Sequence, residues 1–171
     1  MSYVINFLKY KQLNHKAMTK SNIYPGASTL NAYINIKGCN EAIEFYKKAF
    51  GATEKLRLLM PDGKIGHAEI EIEGSLLMMA EENPDWGTKS PQTLGGNPMT
   101  IGLYVPDVDK SFQRAIDAGA TVIMPVKDEF YGDRVGQVID PFGYKWMIAT
   151  HIEDVPQEEM QTRMNKMFAG E

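Results

Sequence analysis

The chain has 171 residues, 43% hydrophobic and 23% charged, with a formal net charge of -4, a composition that suits one compact soluble domain with a real core. No run of lysine or arginine supplies a phosphate-binding face, so nucleic acid is not expected as a partner. No apolar stretch approaches the roughly 18 residues of a membrane span. Cys39 is the only cysteine, which excludes an internal disulfide and a thiolate-rich metal site and fits a reducing compartment, most simply the cytoplasm.

Residues 1–27 read as an N-terminal arm. The start, MSYVINFLKYKQLNHKAMTK, has a short apolar patch but no leading basic region and no small-residue cleavage site, so it does not read as a signal peptide. From residue 28 the chain repeats itself. LNAYINIKGCNEAIEFYKKAFGAT (30–53) and MTIGLYVPDVDKSFQRAIDAGAT (99–121) each give an alternating strand, a loop, an amphipathic helix and Gly-Ala-Thr. Asn40 and Asp109 are the expected helix N-caps, and Gly51 and Gly119 the stops. Three strand-like runs follow each helix: 54–60, 66–73 and 75–80 in the first copy, 121–126, 134–139 and 144–150 in the second. The spacing therefore predicts a βαβββ module over 28–82, a Pro/Gly-rich linker over 83–98, a second module over 99–151, and a tail over 152–171. The tail is helical from Pro156, with Met160, Met164, Met167 and Phe168 on one face, a stripe that suits core or interface packing.

A duplicated βαβββ unit of this size resembles the vicinal oxygen chelate superfamily of glyoxalases, bleomycin-resistance proteins and dioxygenases. PDGKIGHAEI (61–70), SPQTLGGNP (90–98) and FYGDRVGQVIDPFGYKWMIATHIEDV (130–155) are most similar to its PhnB-like group. The resemblance implies an α+β fold in which two tandem modules form a partly closed barrel, helices outside and a cleft inside, followed here by a C-terminal helix. It also implies a homodimer, and in many members a divalent metal held by His and Glu. Those family metal positions fall on Asn31, Met78, Thr100 and Met147, which are poor ligands for a hard divalent ion. No metal ligand is therefore assigned and no cofactor is predicted, although a divalent metal on a different ligand set stays open. The methyltransferase label common in this group finds no support, because no glycine-rich strand-to-helix loop could hold a methyl donor.

In GHAEIEIEG (66–74), His67, Glu69 and Glu71 share one strand face while Ala68, Ile70 and Ile72 share the other. His67 and Glu69 are the candidate catalytic pair, as hydrogen-bonding or proton-transferring groups. They are too far from Glu71 for one ion to join all three, since alternate positions spread over about 13 Å. Tyr33, Asn35, Met78, Tyr104 and Met147 are expected to line the cleft, with Tyr131 and Arg134 at its rim. Asp133 and Arg134 are expected either to pair or to leave the guanidinium free for an anion. Trp146 reads as core, and Trp86 as docked on the body or as a lid. His15 and His151 read as bystanders, and Cys39 as unreactive. The expected function is to hold a small, perhaps anionic, molecule in the cleft without the usual metal. The alternatives are a metal-dependent lyase, isomerase or dioxygenase built around His67 and Glu69, and a protein interaction module.

Overall fold

AYINI and TIGLY open the two halves of the chain, and in each the buried residues alternate with residues turned away from the core. The computed structural model describes residues 22–169. The first module is β1 (Ala32–Ile36), α1 (Cys39–Phe50), β2 (Thr53–Leu59), β3 (Ile65–Ile72) and β4 (Ser75–Glu81). A 3-10 turn (Pro84–Trp86) and a short helix α2 (Pro91–Leu94) lead to the second module. That module is β5 (Thr100–Tyr104), α3 (Val108–Asp117), β6 (Thr121–Asp128), β7 (Asp133–Ile139) and β8 (Lys145–His151), followed by the C-terminal helix α4 (Gln157–Ala169). Residues 1–21 of the expected arm, His15 among them, lie outside the described residues.

Each module forms its own mixed four-stranded sheet, ordered β1-β4-β3-β2 and β5-β8-β7-β6. This is the expected α+β architecture of paired βαβββ modules, without barrel closure between the two sheets. The outer strands β2 and β6 both carry register irregularities, which bend the sheet edges.

The helix-facing side chains meet in one core. Ile34, Ile36, Ala68, Ile70 and Met79 of the first sheet pack with Ala42, Ile43 and Tyr46 of α1. Leu103, Val138, Trp146 and Ile148 of the second pack with Val108, Phe112 and Ala115 of α3, in the same cluster. The rings of Tyr46 and Phe50 lie 5.4 and 4.5 Å from Trp146, and Arg114 donates from α3 to the carbonyl of Ala49 on α1. The helices pack against each other, so α1 is wedged between the modules. The joint is tightened by Asp140 in the DPFG turn, a buried carboxylate that accepts from Tyr46 Oη, Trp146 Nε1 and the backbone N–H groups of Phe142 and Tyr144. Burial holds its carboxyl above the usual range even though these four donors pull the other way.

Four local features differ from expectation in the structure. The N-cap of α1 is Gly38, at φ 83, and Glu81 reaches across from β4 to accept the Gly38 and Cys39 N–H groups at 2.9 and 2.8 Å. Asn40 lies inside the helix and accepts from Arg57 instead. For α3 the cap is Asp107, whose carboxylate accepts from the Lys110 N–H, and not Asp109. The linker is partly ordered because Glu82 accepts from Ser90 and Thr93, fixing the start of α2. Trp86 is neither docked nor a lid; it is 74% exposed. Among the described residues no helix is long and apolar enough to cross a membrane.

Candidate functional site

Strand alternation puts Ala68, Ile70 and Ile72 into the core and turns His67, Glu69 and Glu71 to the opposite face of the first sheet. Backbone pairing sets Tyr33 opposite Met78, Met78 opposite Glu69, and Glu69 opposite Leu56, one row across four strands. From the next row on the same face, His67 Nε2 lies 3.2 Å from Glu69 Oε1, and His67 Nδ1 lies 3.2 Å from Tyr33 Oη. Glu69 is only 6% exposed and Tyr33 49%. The three groups thus form a chain running from a buried carboxylate, through an imidazole, to a half-exposed phenol. Burial lifts the Tyr33 phenol above its usual range, so it keeps its proton at neutral pH. Glu71, on the same face, pairs with Lys55 at 3.1 Å.

Tyr33, His67, Glu69 and Met78 are therefore brought together, with Asn35 further along β1 and half-buried. The Asn35 carbonyl accepts from Tyr144 of the second module. The other expected cleft residues lie elsewhere. Met147 stands opposite Gly102 on the second sheet, and its terminal methyl covers the space a Cβ at Gly102 would approach. Tyr131 packs edge-on against Phe130. Arg134 does not pair with Asp133: its guanidinium binds Asp109 through two nitrogens and Asp128 through the third. Strand alternation explains the difference, since adjacent residues of β7 point to opposite faces and Arg134 meets the start of α3. A guanidinium held by two carboxylates is not a free anion anchor.

A cavity of about 410 Å³ is not enclosed by the expected set. It lies where the first strands of the two modules approach, lined by residues including Leu30, Asn31, Leu77, Ile101, Tyr104 and Trp146. Only Tyr104 belongs to both groups.

The second module holds a polar cluster that sequence reasoning missed. Asp133, 5% exposed, accepts from Tyr104 Oη at 2.6 Å on one oxygen and meets His151 Nδ1 at 2.7 Å on the other. His151 Nε2 lies 3.0 Å from Asp154. The bond to Asp133 is the main cause of a His151 pKa above its ordinary value. A signal was present: a hairpin centred on Phe142 pairs residues equidistant from it, which sets Asp133 against His151.

The metal implied by the fold family does not fit the residues at its usual positions. Asn31 is occupied in capping the Ser28 turn, and Met78, Thr100 and Met147 offer only soft or weak donors. Among the described residues no three His, Cys, Asp or Glu side chains converge on a point where a metal could sit. Burial pushes the Cys39 thiol up to about 12, so it is not a ready nucleophile.

The family model described as Glyoxalase/Bleomycin resistance protein/Dioxygenase superfamily matches residues 29–148. An uncharacterized protein of Mycobacterium bovis, Mb0911c, is 42% identical over 144 residues, covering 82% of this chain and 95% of its own. Protein YjdN of Escherichia coli is 24% identical over 140 residues, covering 70% of this chain and 92% of its own. Among solved structures, TioX from Micromonospora sp. ML1 superposes with a TM-score of 0.59 at 24% identity, over 74% of this chain and all of its own. A Bacillus cereus PhnB protein does so with a TM-score of 0.56 at 17% identity, over 72% of this chain and 99% of its own. The two superpositions show a shared fold.

Proposed function

Starting from its membership in the glyoxalase/bleomycin-resistance/dioxygenase superfamily, to which this chain belongs, we propose that the protein binds a small molecule on the open face of its first sheet. The observation that carries this reading is the Tyr33–His67–Glu69 chain, a buried carboxylate and a half-buried imidazole ending in a half-exposed ring. A solvated strand face has no need to bury a carboxylate. Around it, Leu58 is 53% exposed and Met78 is half-buried, which gives a ligand an apolar floor.

The same exposure supports a homodimer. Tyr33, Leu58, Leu59, Tyr104, Val122 and Ile123 are all more than 40% exposed, and a second copy laid over these sheets would close a ligand between them. We place the protein in the cytoplasm, as a binding protein that works without the usual metal.

The test is native mass spectrometry of tag-free protein purified without chelator, beside His67→Ala and Tyr33→Ala variants. The expected species is a dimer that retains a small organic molecule, released in both variants, with metal far below one per chain. About one divalent ion per chain, lost in His67→Ala, would replace this reading with that of a metal-dependent enzyme. A monomer that carries no small molecule and co-purifies with a protein partner would make it an interaction module instead.

A further inference from the structure

The hydrogen-bond polarity of the Tyr33–His67–Glu69 chain depends on the tautomer of His67, both of whose ring nitrogens are engaged. A carboxylate in its ionised form can only accept, and in that form the proton shared with Glu69 sits on His67 Nε2. A neutral imidazole with Nε2 protonated has a bare Nδ1, which must accept. In that tautomer Tyr33 spends its only proton on His67 Nδ1. What remains for a ligand is the phenolic oxygen with its lone pairs, an acceptor made more electron-rich by the imidazole and carboxylate behind it.

The charges on this face have the same sense. Glu69 is ion-paired with no lysine or arginine among the described residues; its one partner there is His67. On this face Lys55 is held by Glu71; Arg57, opposite Ala68 on the helix-facing side, is held by Glu54 and Asn40, and Arg134, in the second sheet, by Asp109 and Asp128. An anion placed on Tyr33 would meet a lone pair and an uncompensated carboxylate. A hydrogen-bond donor would meet complementary charge, and its apolar part would cover the Tyr33 ring and Leu58.

We propose that this site selects a small aromatic molecule carrying a hydroxyl or ammonium donor, with Tyr33 Oη as the acceptor and His67–Glu69 as the pair that holds it in that role. This rests on the reading of the first sheet as a small-molecule site. Tyr33 is the binding residue; Glu69 acts through His67 and is a positioning residue.

The experiment is imidazole 15N NMR on the full-length protein, with the His67 signals assigned by their loss in His67→Ala. The free protein should show Nε2 protonated and Nδ1 as an unprotonated acceptor. Tyr33→Phe should leave that tautomer in place, because Glu69 fixes it, whereas Glu69→Leu should abolish the preference. Titration with tyramine should shift the His67 signals at about tenfold lower concentration than 4-hydroxyphenylacetate, which has the same phenol but a carboxylate in place of the amine. Tyr33→Phe should weaken tyramine by about tenfold, the loss of one such hydrogen bond. A protonated Nδ1 in the free protein, or tighter binding of 4-hydroxyphenylacetate, overturns the proposal. So does silence of His67 toward both compounds in protein that native mass spectrometry finds holding a small molecule on this face; the binding reading then survives and only the ligand class falls. Protein that holds nothing on this face fails both.

Discussion

The two modules share a backbone plan and differ in what they place on it. Pairing makes Tyr33 of β1 the counterpart of Gly102, since they face Met78 and Met147, and Asn35 the counterpart of Tyr104, since they face Ala80 and Ala149. Both halves bury a carboxylate beside a histidine and a tyrosine, yet in different order. In the first the imidazole is central, and the phenol is the exposed end. In the second the carboxylate is central, and His151 faces Asp154 at the entry to the tail. The first arrangement presents a polar atom to solvent; the second spends its polar atoms on holding the chain together. Duplication preserves the pattern that buries a core, while outward positions are free to diverge.

The comparison can be broken first at the joint. Asp140→Ala strands four donors in the shared core and should cost about 3–5 kcal/mol in urea unfolding, with both modules melting in one transition. Two separated transitions, with the first module unaffected, would show that the modules do not depend on each other. Next comes the pair Ala68 and Gly136, which occupy matching places opposite Met79 and Ile148. A Cβ at Gly136 would sit 2.6 Å from the Phe112 ring, so Gly136→Ala should lose about 1–3 kcal/mol by overpacking. An unchanged midpoint would mean that Phe112 has room to move.

The helix starts sharpen the contrast. Glu81 caps α1 with a carboxylate, and Thr150 serves α3 with a hydroxyl that accepts from the Val108 N–H and donates to the Val105 carbonyl. Glu81→Ala should cost about 1–2 kcal/mol in chemical denaturation, and Thr150→Val about 1 kcal/mol. Equal losses would mean that charge adds nothing to the cap. The smallest effect concerns the tail. His151 has its pKa raised above 6.5, first by Asp133 and then by Asp154, so its contribution is complete below the unfolded value and fades as pH rises through the folded one. Hydrogen exchange of residues 152–155, corrected for intrinsic rates, should lose protection over that window in the wild type and not in His151→Ala. Equal profiles would show that the His151 contacts to Asp133 and Asp154 do not hold the start of the tail.

The site was half legible. Period-two alternation is enough to place His67 and Glu69 together on the side away from Ile70, and helical spacing is enough to bury Tyr46 and Phe50. The partner of Arg134 was not legible, because a guanidinium binds whichever carboxylate the tertiary fold brings near, and here that is Asp109 on α3 and Asp128 on β6. His151 looked like a bystander at a strand end for the same reason. The exposed methionine stripe shows the limit from the other side: α4 forms where expected, but none of its residues is buried and Phe168 is 79% exposed.

What the sequence determined by itself was local and periodic: the two βαβββ repeats, the face each residue takes and the glycine at which α1 stops. These follow from steric and hydrogen-bonding rules that act over a few residues. Which histidine meets which carboxylate, whether an arginine is free, and where the cavity opens were decided only by the tertiary structure. Those outcomes depend on groups far apart in the chain, such as Tyr33 and His67 or Asp109 and Arg134, and no local rule fixes their distance.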